Sequence, residues 1–366
     1  MDLRKNTFTR RDFLKLGLAG LGGFSLRPWK SMIAQEIEWP EQTKLGRTLA
    51  RLDIKLRPSE DSQTLETVYD DEIVIWEKEV IGDPYPMYPT NRRWIQTNRG
   101  YLPAPMVQPV RYEPNQAMTE LPVTDEGRGT WAEVTVPYVD FVLENSQPIS
   151  ELLKESTRHR FYYSQLYWID DIRVASDGSV YYRAIEKHGS PGDVFWTPAE
   201  AFRPVSPEEL APIHPDAVDK RVVIDLSRQT LSCFEGNSEV HFCRISSGAK
   251  YDAYGNPVEH WSTPLGMNHV INRKYISLHM AGGSSASGYE LLAVSWTSIF
   301  ATGGVAIHST YWHNNYGEPM SHGCVNAAPD DARFVYLWST PTVPYALGKI
   351  EVSGYDLGTK VQVIEA

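Results

Sequence analysis

The sequence predicts a mainly β protein built from more than one domain. Its 366 residues are two to three times the usual length of a single domain. The chain has 26 glycines, 25 prolines and 42 aromatic residues (11 Trp, 20 Tyr and 11 Phe), which suits short strands and tight turns better than long helices. With 42% hydrophobic and 22% charged residues, the composition excludes a disordered chain, a fibre and a multi-span membrane protein.

Charge and cysteine content narrow the function classes further. The chain carries 35 Lys and Arg against 46 Asp and Glu, a formal net charge of -11. Non-specific binding to phosphate backbones or anionic lipid is therefore disfavoured, and no nucleic-acid partner is expected. The three cysteines are too few for a disulfide scaffold and include no C-x-x-C pair of the zinc-binding kind, so each needs its own explanation.

The amino terminus carries paired arginines, Arg10 and Arg11, ahead of an apolar run over residues 16–26. This pattern resembles a twin-arginine export signal, predicted here over residues 1–34 with cleavage after Ala34. The run is shorter than the roughly 20 apolar residues that span a bilayer, so no permanent membrane span is expected. The resemblance implies a protein exported to the cell envelope, either periplasm or cell wall. The alternative is a short amphipathic helix of a cytoplasmic protein.

Residues 42–109 contain short β-type runs at 72–76 and 93–97, broken by Pro, Asn and Gly. They resemble bacterial SH3-like modules, which predicts a small β-barrel in this region.

A second aromatic, β-rich region covers residues 128–204, and we interpret it as a divergent SH3-like module. One helix is predicted in it, over residues 148–156. A proline-containing link at 205–219 then marks a boundary, and the remaining domain is predicted over 219–366.

The first two cysteines lie on a predicted hairpin. Cys233 and Cys243 are each five residues from Ser238 in the turn, so they are candidates to face each other across two strands. A disulfide is one interpretation. Two buried free thiols are the other, because a directly opposed pair needs an unforced Cα separation.

Cys324 is the candidate nucleophile. A thiol with an ordinary pKa near 8.5 is a poor nucleophile at neutral pH unless a base or cation lowers that pKa, and His308, sixteen residues upstream at the end of an apolar run, is the candidate base. Gly323 allows a sharp bend that presents backbone N–H groups to an oxyanion. A helix predicted shortly after Asn326 would point its positive amino-terminal dipole at the thiolate. These features predict a lowered pKa for Cys324.

The same residues resemble the L,D-transpeptidase catalytic domain of bacterial cell-wall enzymes over residues 219–366. The likeness rests on His308, on the S-H-G-C-V-N run at 321–326, on Ser262-Thr263-Pro264-Leu265-Gly266, and on residues 277–283. It implies a β-sandwich with a short helix after the nucleophile and no cofactor. It also implies that Ser309 orients the imidazole through its backbone carbonyl, in place of a triad aspartate.

The resemblance further implies a reaction. Cys324 attacks the peptide bond before the terminal D-alanine of a peptidoglycan stem tetrapeptide, and D-alanine leaves. The amine of a second stem then attacks the thioester to give a 3,3 cross-link. If water attacks instead, the enzyme is an L,D-carboxypeptidase. Carbapenem-type β-lactams are expected to acylate the same thiol. A non-catalytic wall-binding protein is the third interpretation.

Other polar and aromatic residues receive weaker roles. Oxyanion or pocket positions are Ser321, His322, Gly323 and Asn326. Candidate substrate contacts are Tyr311, Trp312, His279, Met280 and Trp296. His313 is interpreted as part of a lid or pocket wall, with an ordinary loop as the alternative. A zinc site made from His308, His322 and Cys324 is the alternative to a nucleophile, and no metal is predicted there because a second cysteine is lacking.

The two amino-terminal regions hold no nucleophile constellation. We therefore expect them to place the enzyme on its polymer. Removal of residues 36–212 is expected to leave acylation by small drugs unchanged.

Overall fold

The computed structural model describes residues 44–251, 255–258, 261–282, 288–353 and 358–365. The predicted export signal at 1–34 lies outside these residues. In the part that is described, the chain forms twenty-eight β-strands and two α-helices, so the mainly β prediction is confirmed. Neither helix is long and apolar enough to cross a bilayer.

The first region is a compact pair of antiparallel sheets. Strands β4-β1-β8 form one sheet and β3-β2-β7-β6-β5 the other, around a core that includes Ile54, Trp76 and Leu102. The strands are β1 Leu45–Thr48, β2 Leu52–Lys55, β3 Thr64–Val68, β4 Ile73–Ile75, β5 Lys78–Ile81, β6 Arg93–Thr97, β7 Gly100–Pro103 and β8 Val107–Val110.

The second region is built on a six-stranded antiparallel sheet in the order β13-β17-β16-β15-β11-β18, with two small ribbons, β10-β9 and β12-β14. Helix α1, Glu151–Glu155, is shorter than predicted and begins after Ser150, whose side chain accepts the N–H of Leu153. The strands are β9 Val123–Thr124, β10 Gly127–Arg128, β11 Thr130–Val134, β12 Tyr138–Asp140, β13 Val142–Leu143, β14 Arg160–Tyr162, β15 Leu166–Val174, β16 Val180–Ile185, β17 Val194–Pro198 and β18 Phe202–Val205.

The two regions end in the same way. In the first, a 3₁₀ turn at Ala104–Met106 leads into β8, which pairs with β1. In the second, a 3₁₀ turn at Ala199–Ala201 leads into β18, which pairs with β11. In each region, therefore, the last strand pairs with a strand from the start of the region, β8 with β1 and β18 with β11. The SH3-like assignment of both stays a prediction.

The third region is a ten-stranded mixed sheet in the order β22-β28-β19-β20-β21-β26-β25-β24-β23-β27. Strand β21 joins its two halves, since its first residues pair with β20 and its last two with β26. Helix α2, Pro329–Trp338, follows β26. The strands are β19 Lys220–Asp225, β20 Thr230–Glu235, β21 Ser238–Ser246, β22 Gly266–Val270, β23 Arg273–Gly282, β24 Tyr289–Ile299, β25 Ala306–Ser309, β26 Val325–Ala327, β27 Lys349–Glu351 and β28 Lys360–Ile364.

The main core crosses the boundary between the second and third regions. Trp131 and Trp168 of the second region share one buried cluster with Ile224, Ile307 and Trp338 of the third. Trp131 is fully buried, stacks edge to face on Trp168 at 5.5 Å, and donates its indole N–H to the carbonyl of Tyr345 at 2.9 Å. Removal of the second region would expose this apolar cluster to water, which argues against the expectation that the amino-terminal regions can be removed without loss of acylation.

The two hairpin cysteines are free thiols, both buried. In the β20–β21 register Cys233 lies opposite His241, and Cys243 lies opposite Leu231. The structure thus has the cysteines offset along the hairpin, as in the free-thiol interpretation.

Candidate active site

Two adjacent parallel strands carry the catalytic candidates. In β25 and β26, Ile307 pairs with Val325 and His308 with Asn326, and Cys324 stands immediately before β26. Side chains alternate along a strand, so Cys324 and Asn326 share the face on which His308 lies. His308 and Cys324 line one cavity of about 200 Å³.

The tautomer of His308 follows from one hydrogen bond. Its Nδ1 lies 2.8 Å from the backbone carbonyl oxygen of Ser309, and a carbonyl oxygen only accepts, so Nδ1 carries the proton. In the neutral ring Nε2 then holds a free lone pair. Burial lowers the pKa of His308 to about 4, although the Ser309 carbonyl acts in the opposite direction. His308 is therefore a neutral, oriented base near pH 7.

The turn before the nucleophile is held by hydrogen bonds within the turn and by one from the loop that precedes β22. Ser321 donates its hydroxyl to the carbonyl of Cys324 at 2.5 Å and accepts the N–H of Gly323 at 3.1 Å. Gly323 has φ of 120°, a region that strongly favours glycine. Thr263 donates to the Gly323 carbonyl at 2.8 Å, which explains the T-P-x-G element. Because the Gly323 N–H is engaged by Ser321, it is not a free oxyanion donor.

The cavity wall combines predicted and unpredicted residues. Met280, Trp312, Ser321, His322 and Asn326 lie there as predicted. Tyr289, Leu291 and Met320 complete the lining and were not singled out in the sequence. Tyr289 and Leu291 alternate along β24, a pattern that marks one strand face but not which cavity that face borders.

The Cys324 thiol is not activated at rest. Burial raises its pKa to about 11, and the backbone N–H of Ala306 offsets this only in part. Its Sγ lies 4.0 Å from the carbonyl oxygen of Gly304, a weak contact suited to a protonated thiol. The predicted lowering of the pKa is therefore wrong in direction: desolvation outweighs the proximity of the base.

The predicted helix dipole does not reach the sulfur. Helix α2 begins at Pro329, five residues after Cys324, and the connecting segment contains β26. An extended segment of that length covers roughly 15 Å, whereas the dipole acts within about a turn of the helix end. The helix supports the strand and does not polarise the thiol.

Asn326 is oriented by His313. The N–H of Asn315 donates to Nδ1 of His313 at 3.2 Å, and burial lowers the pKa of His313 to about 3, so the neutral ring carries its proton on Nε2. The structure places Nδ2 of Asn326 2.8 Å from that Nε2, but only the amide oxygen can accept this proton, so we assign the amide in the flipped orientation. The NH₂ group then takes the buried position where Asn326 has no hydrogen-bond partner. Asn326 thus offers a donor to a ligand carbonyl.

Three weaker candidates lie outside the cavity. Trp296 is 2% exposed and belongs to the main core. Tyr311 is buried and stacks on Tyr162 at 5.7 Å. His279 faces the second region, with Nδ1 2.9 Å from Glu186 and Nε2 2.9 Å from Glu290. Strand alternation explains the last case, because its neighbour Met280 takes the cavity side.

Hydrogen bonds from the first region hold the segment from 311 to 318 in place. Arg47 of the first region donates to the carbonyl of Tyr311 at 2.7 Å, and Asn91 donates to Asn315 at 2.8 Å. Asn314 donates its backbone N–H to the Pro105 carbonyl at 3.0 Å and its side-chain amide to Ala104 at 3.0 Å. His313 within this segment is 5% exposed. His313 does not line the catalytic cavity, which this segment reaches through Trp312, so the structure favours the ordinary-loop interpretation of His313 over a lid or pocket wall.

The catalytic candidates do not form a metal centre. Among the described residues, the group with ligand atoms all within 4.8 Å of one another is His241, Cys243 and Asp331, not His308, His322 and Cys324.

Residues 219–363 match the YkuD family model, an L,D-transpeptidase catalytic domain. This part of the chain is therefore an L,D-transpeptidase catalytic domain, and the prediction drawn from the motifs is confirmed. No curated protein matches the sequence significantly.

Solved structures give a more distant likeness. An L,D-transpeptidase from Mycobacterium smegmatis is 20% identical over 53% of this chain and 93% of its own, with a TM-score of 0.31. A mutant L,D-transpeptidase from Enterococcus faecium is 22% identical over 41% of this chain and 52% of its own, with a TM-score of 0.29. The catalytic domain of the E. faecium enzyme acylated by ertapenem is 22% identical over 40% of this chain and 97% of its own, with a TM-score of 0.28. The chain thus spans about half the length of the second of these, and the family assignment rests on the match to residues 219–363.

Proposed function

We propose that the protein is an exported L,D-transpeptidase that forms an acyl-enzyme on Cys324 with a peptidoglycan stem tetrapeptide. The observation that carries this proposal is the shared cavity of His308 and Cys324, with the histidine held as a neutral base by Ser309. The export signal and the envelope location are part of the proposal and rest on the twin-arginine pattern.

Each step of the proposed reaction has a group to perform it. Nε2 of His308 takes the thiol proton as Cys324 attacks the carbonyl carbon, and the C–N bond to D-alanine breaks as the same proton passes to the leaving amine. An amine of a second stem then attacks the thioester carbonyl carbon and gives its proton to Nε2 of His308. The C–S bond breaks as the new amide forms, and His308 returns that proton to the sulfur, which restores the thiol. Because both groups are neutral at rest, proton transfer accompanies attack. Asn326 supplies a donor to a substrate carbonyl, a type of interaction worth roughly 3 kcal/mol in comparable sites.

β-Lactam acylation belongs to the same proposal. The E. faecium catalytic domain has been determined acylated by ertapenem, and the match of residues 219–363 to the same catalytic domain supports the expectation that carbapenems acylate Cys324. Hydrolysis of the stem, the carboxypeptidase alternative, uses the same acyl-enzyme with water as acceptor.

Mass spectrometry of muropeptides after incubation with the purified enzyme tests the proposal. Release of D-alanine with formation of dimers supports transpeptidation, and tripeptides without dimers would assign hydrolysis. Cys324→Ala should abolish both products, and His308→Gln should reduce them sharply. The control His214→Gln changes an exposed histidine outside the cavity and should leave the products unchanged. Full activity of Cys324→Ala would overturn the proposal.

A further inference from the structure

We propose that His241, Cys243 and Asp331 form a site for a divalent transition-metal ion of the zinc type, separate from the catalytic cavity. One nitrogen, one sulfur and one carboxylate oxygen from these residues all lie within 4.8 Å of one another. In a tetrahedral zinc site, bonds of about 2.0–2.3 Å separate neighbouring ligand atoms by about 3.3–3.8 Å, so small rotamer adjustments bring the three atoms to that spacing.

Secondary structure brings the three ligands together. His241 and Cys243 are two residues apart on β21 and therefore project from the same face. Asp331 lies in the first turn of α2. The His241 ring is held in place by stacking on Phe334 of the same helix, with ring centroids 4.2 Å apart. The ligands thus sit on rigid elements, as a metal site requires.

The histidine nitrogen gives a second, independent indication. Nε2 of His241 is buried and has no hydrogen-bond partner, although an oxygen of Asp331 lies only 3.0 Å away. A buried polar atom without a hydrogen bond is costly. The two groups therefore lie at hydrogen-bonding distance without forming a hydrogen bond, and a cation bound between them would give both atoms a partner.

The surroundings favour a cation with affinity for sulfur. Nitrogen, thiolate and carboxylate together are a typical zinc donor set. Zinc binds cysteine as the thiolate, so binding of the cation would release the Cys243 proton to solvent. The fourth ligand would be water or Cys233, which lies opposite His241 across the hairpin but does not have its sulfur within 4.8 Å of all three ligand atoms.

The site would fasten the strand next to the nucleophile. Ser246 at the end of β21 pairs with Asn326 in β26, and Asn326 is two residues after Cys324. Asp331 lies in the first turn of α2, the helix that follows β26. An ion bound by His241, Cys243 and Asp331 would therefore link β21, which pairs with β26, to α2, which follows β26 in the sequence.

Titration of the full-length, untagged protein with Co²⁺ tests the site, because a cysteine thiolate bound to cobalt gives a charge-transfer absorption band. We expect a band at one equivalent of Co²⁺ that excess Zn²⁺ removes, together with a rise in melting temperature on adding Zn²⁺. Cys243→Ala should abolish the band, and His241→Gln and Asp331→Asn should weaken Co²⁺ binding at least tenfold, with circular dichroism confirming that each variant is folded.

Two matched cysteine variants complete the test. Cys324→Ala should keep the full band, because the proposed ligands do not include the catalytic thiol. With Cys233→Ala, a full band assigns water as the fourth ligand, and a weakened band assigns Cys233. No band in the unmodified protein, a band that survives Cys243→Ala, or a band lost in Cys324→Ala would each overturn the proposal.

Discussion

The first and second regions hold the catalytic domain by different means and at different walls of the cavity. The first contacts the segment 311–318 mainly through hydrogen bonds to backbone groups. The second packs aromatic side chains into the shared core and places a buried charged network against β23 and β24. Polar contacts of the first kind fix the path of a loop, whereas apolar contacts of the second kind contribute most of the stability. Substitutions in each region can separate the role in fixing the loop from the role in stability.

Trp131→Ala should have the largest effect. Removing a fully buried indole from the shared core costs about 3–5 kcal/mol of unfolding free energy, measured by urea titration. Carbapenem acylation of Cys324 should fall as the catalytic domain loses its support. Trp76→Ala, in the first region's own core, is the matched control and should cost similar stability with a smaller loss of acylation. If Trp131→Ala were acylated to the same extent as the wild type, the second region would not be needed to support the catalytic domain.

Arg47→Met should come next. Arg47 is 4% exposed, pairs with Asp71 at 2.7 Å and holds the Tyr311 carbonyl, and breaking such a buried pair costs about 3 kcal/mol. Amide hydrogen exchange over 311–318 should accelerate. The exposed neighbour Arg92→Met, which loses one bond to the Gly82 carbonyl, should change stability by less than about 0.5 kcal/mol. Unchanged exchange in Arg47→Met would contradict the assigned role of the first region.

Glu186→Gln should cost about 2 kcal/mol, the value of a hydrogen bond to a charged group, and this cost should depend on pH. Burial opposes the charge of His279, but the hydrogen bonds and charges of Glu186 and Glu290 outweigh it and raise the His279 pKa. A raised histidine pKa contributes stability that is present below about pH 6.5 and is lost as pH rises through the folded value.

Melting temperatures of the wild type and Glu186→Gln, recorded against pH, check this dependence. Their difference should be largest in mildly acidic buffer and should shrink at alkaline pH. It should also shrink at low pH, because burial raises the pKa of Glu186 and the carboxylate takes up a proton there. A difference that grows with alkaline pH would refute the charged pair.

The smallest expected effect concerns the nucleophile. Alkylation of wild-type Cys324 by iodoacetamide, followed by mass spectrometry, should increase with pH up to its pKa of about 11. Arg47→Met loosens a segment that contributes Trp312 to the cavity, so it should move the midpoint only slightly towards the ordinary value of about 8.5. A wild-type rate that is already maximal at pH 7 would indicate a resting thiolate paired with protonated His308.

The sequence predicts the local features of the site well. The turn at Gly323 and the helix starting at Pro329 are each encoded within a few residues, and His308 lies only sixteen residues before Cys324. Such features follow from turn geometry and strand alternation, which short segments carry on their own.

Long-range features could not be predicted in this way. Arg47 bonds to a carbonyl 264 residues away, and Glu186 bonds to His279 across 93 residues. Nothing near either residue in the sequence marks its partner. The direction of the Cys324 pKa shift was missed for the same reason, since burial depends on walls supplied by distant strands.

The anchoring of residues 311–318 has a consequence for drug selection. Because hydrogen bonds hold this segment in place, Trp312 sets a fixed limit on the width of the ligands that the cavity accepts. A bulky substituent that meets this side of the cavity clashes with the segment, since the segment does not move away. Under the proposed β-lactam acylation, a substitution at Arg47 would act on this wall through Tyr311 and Trp312, away from every group that performs the chemistry.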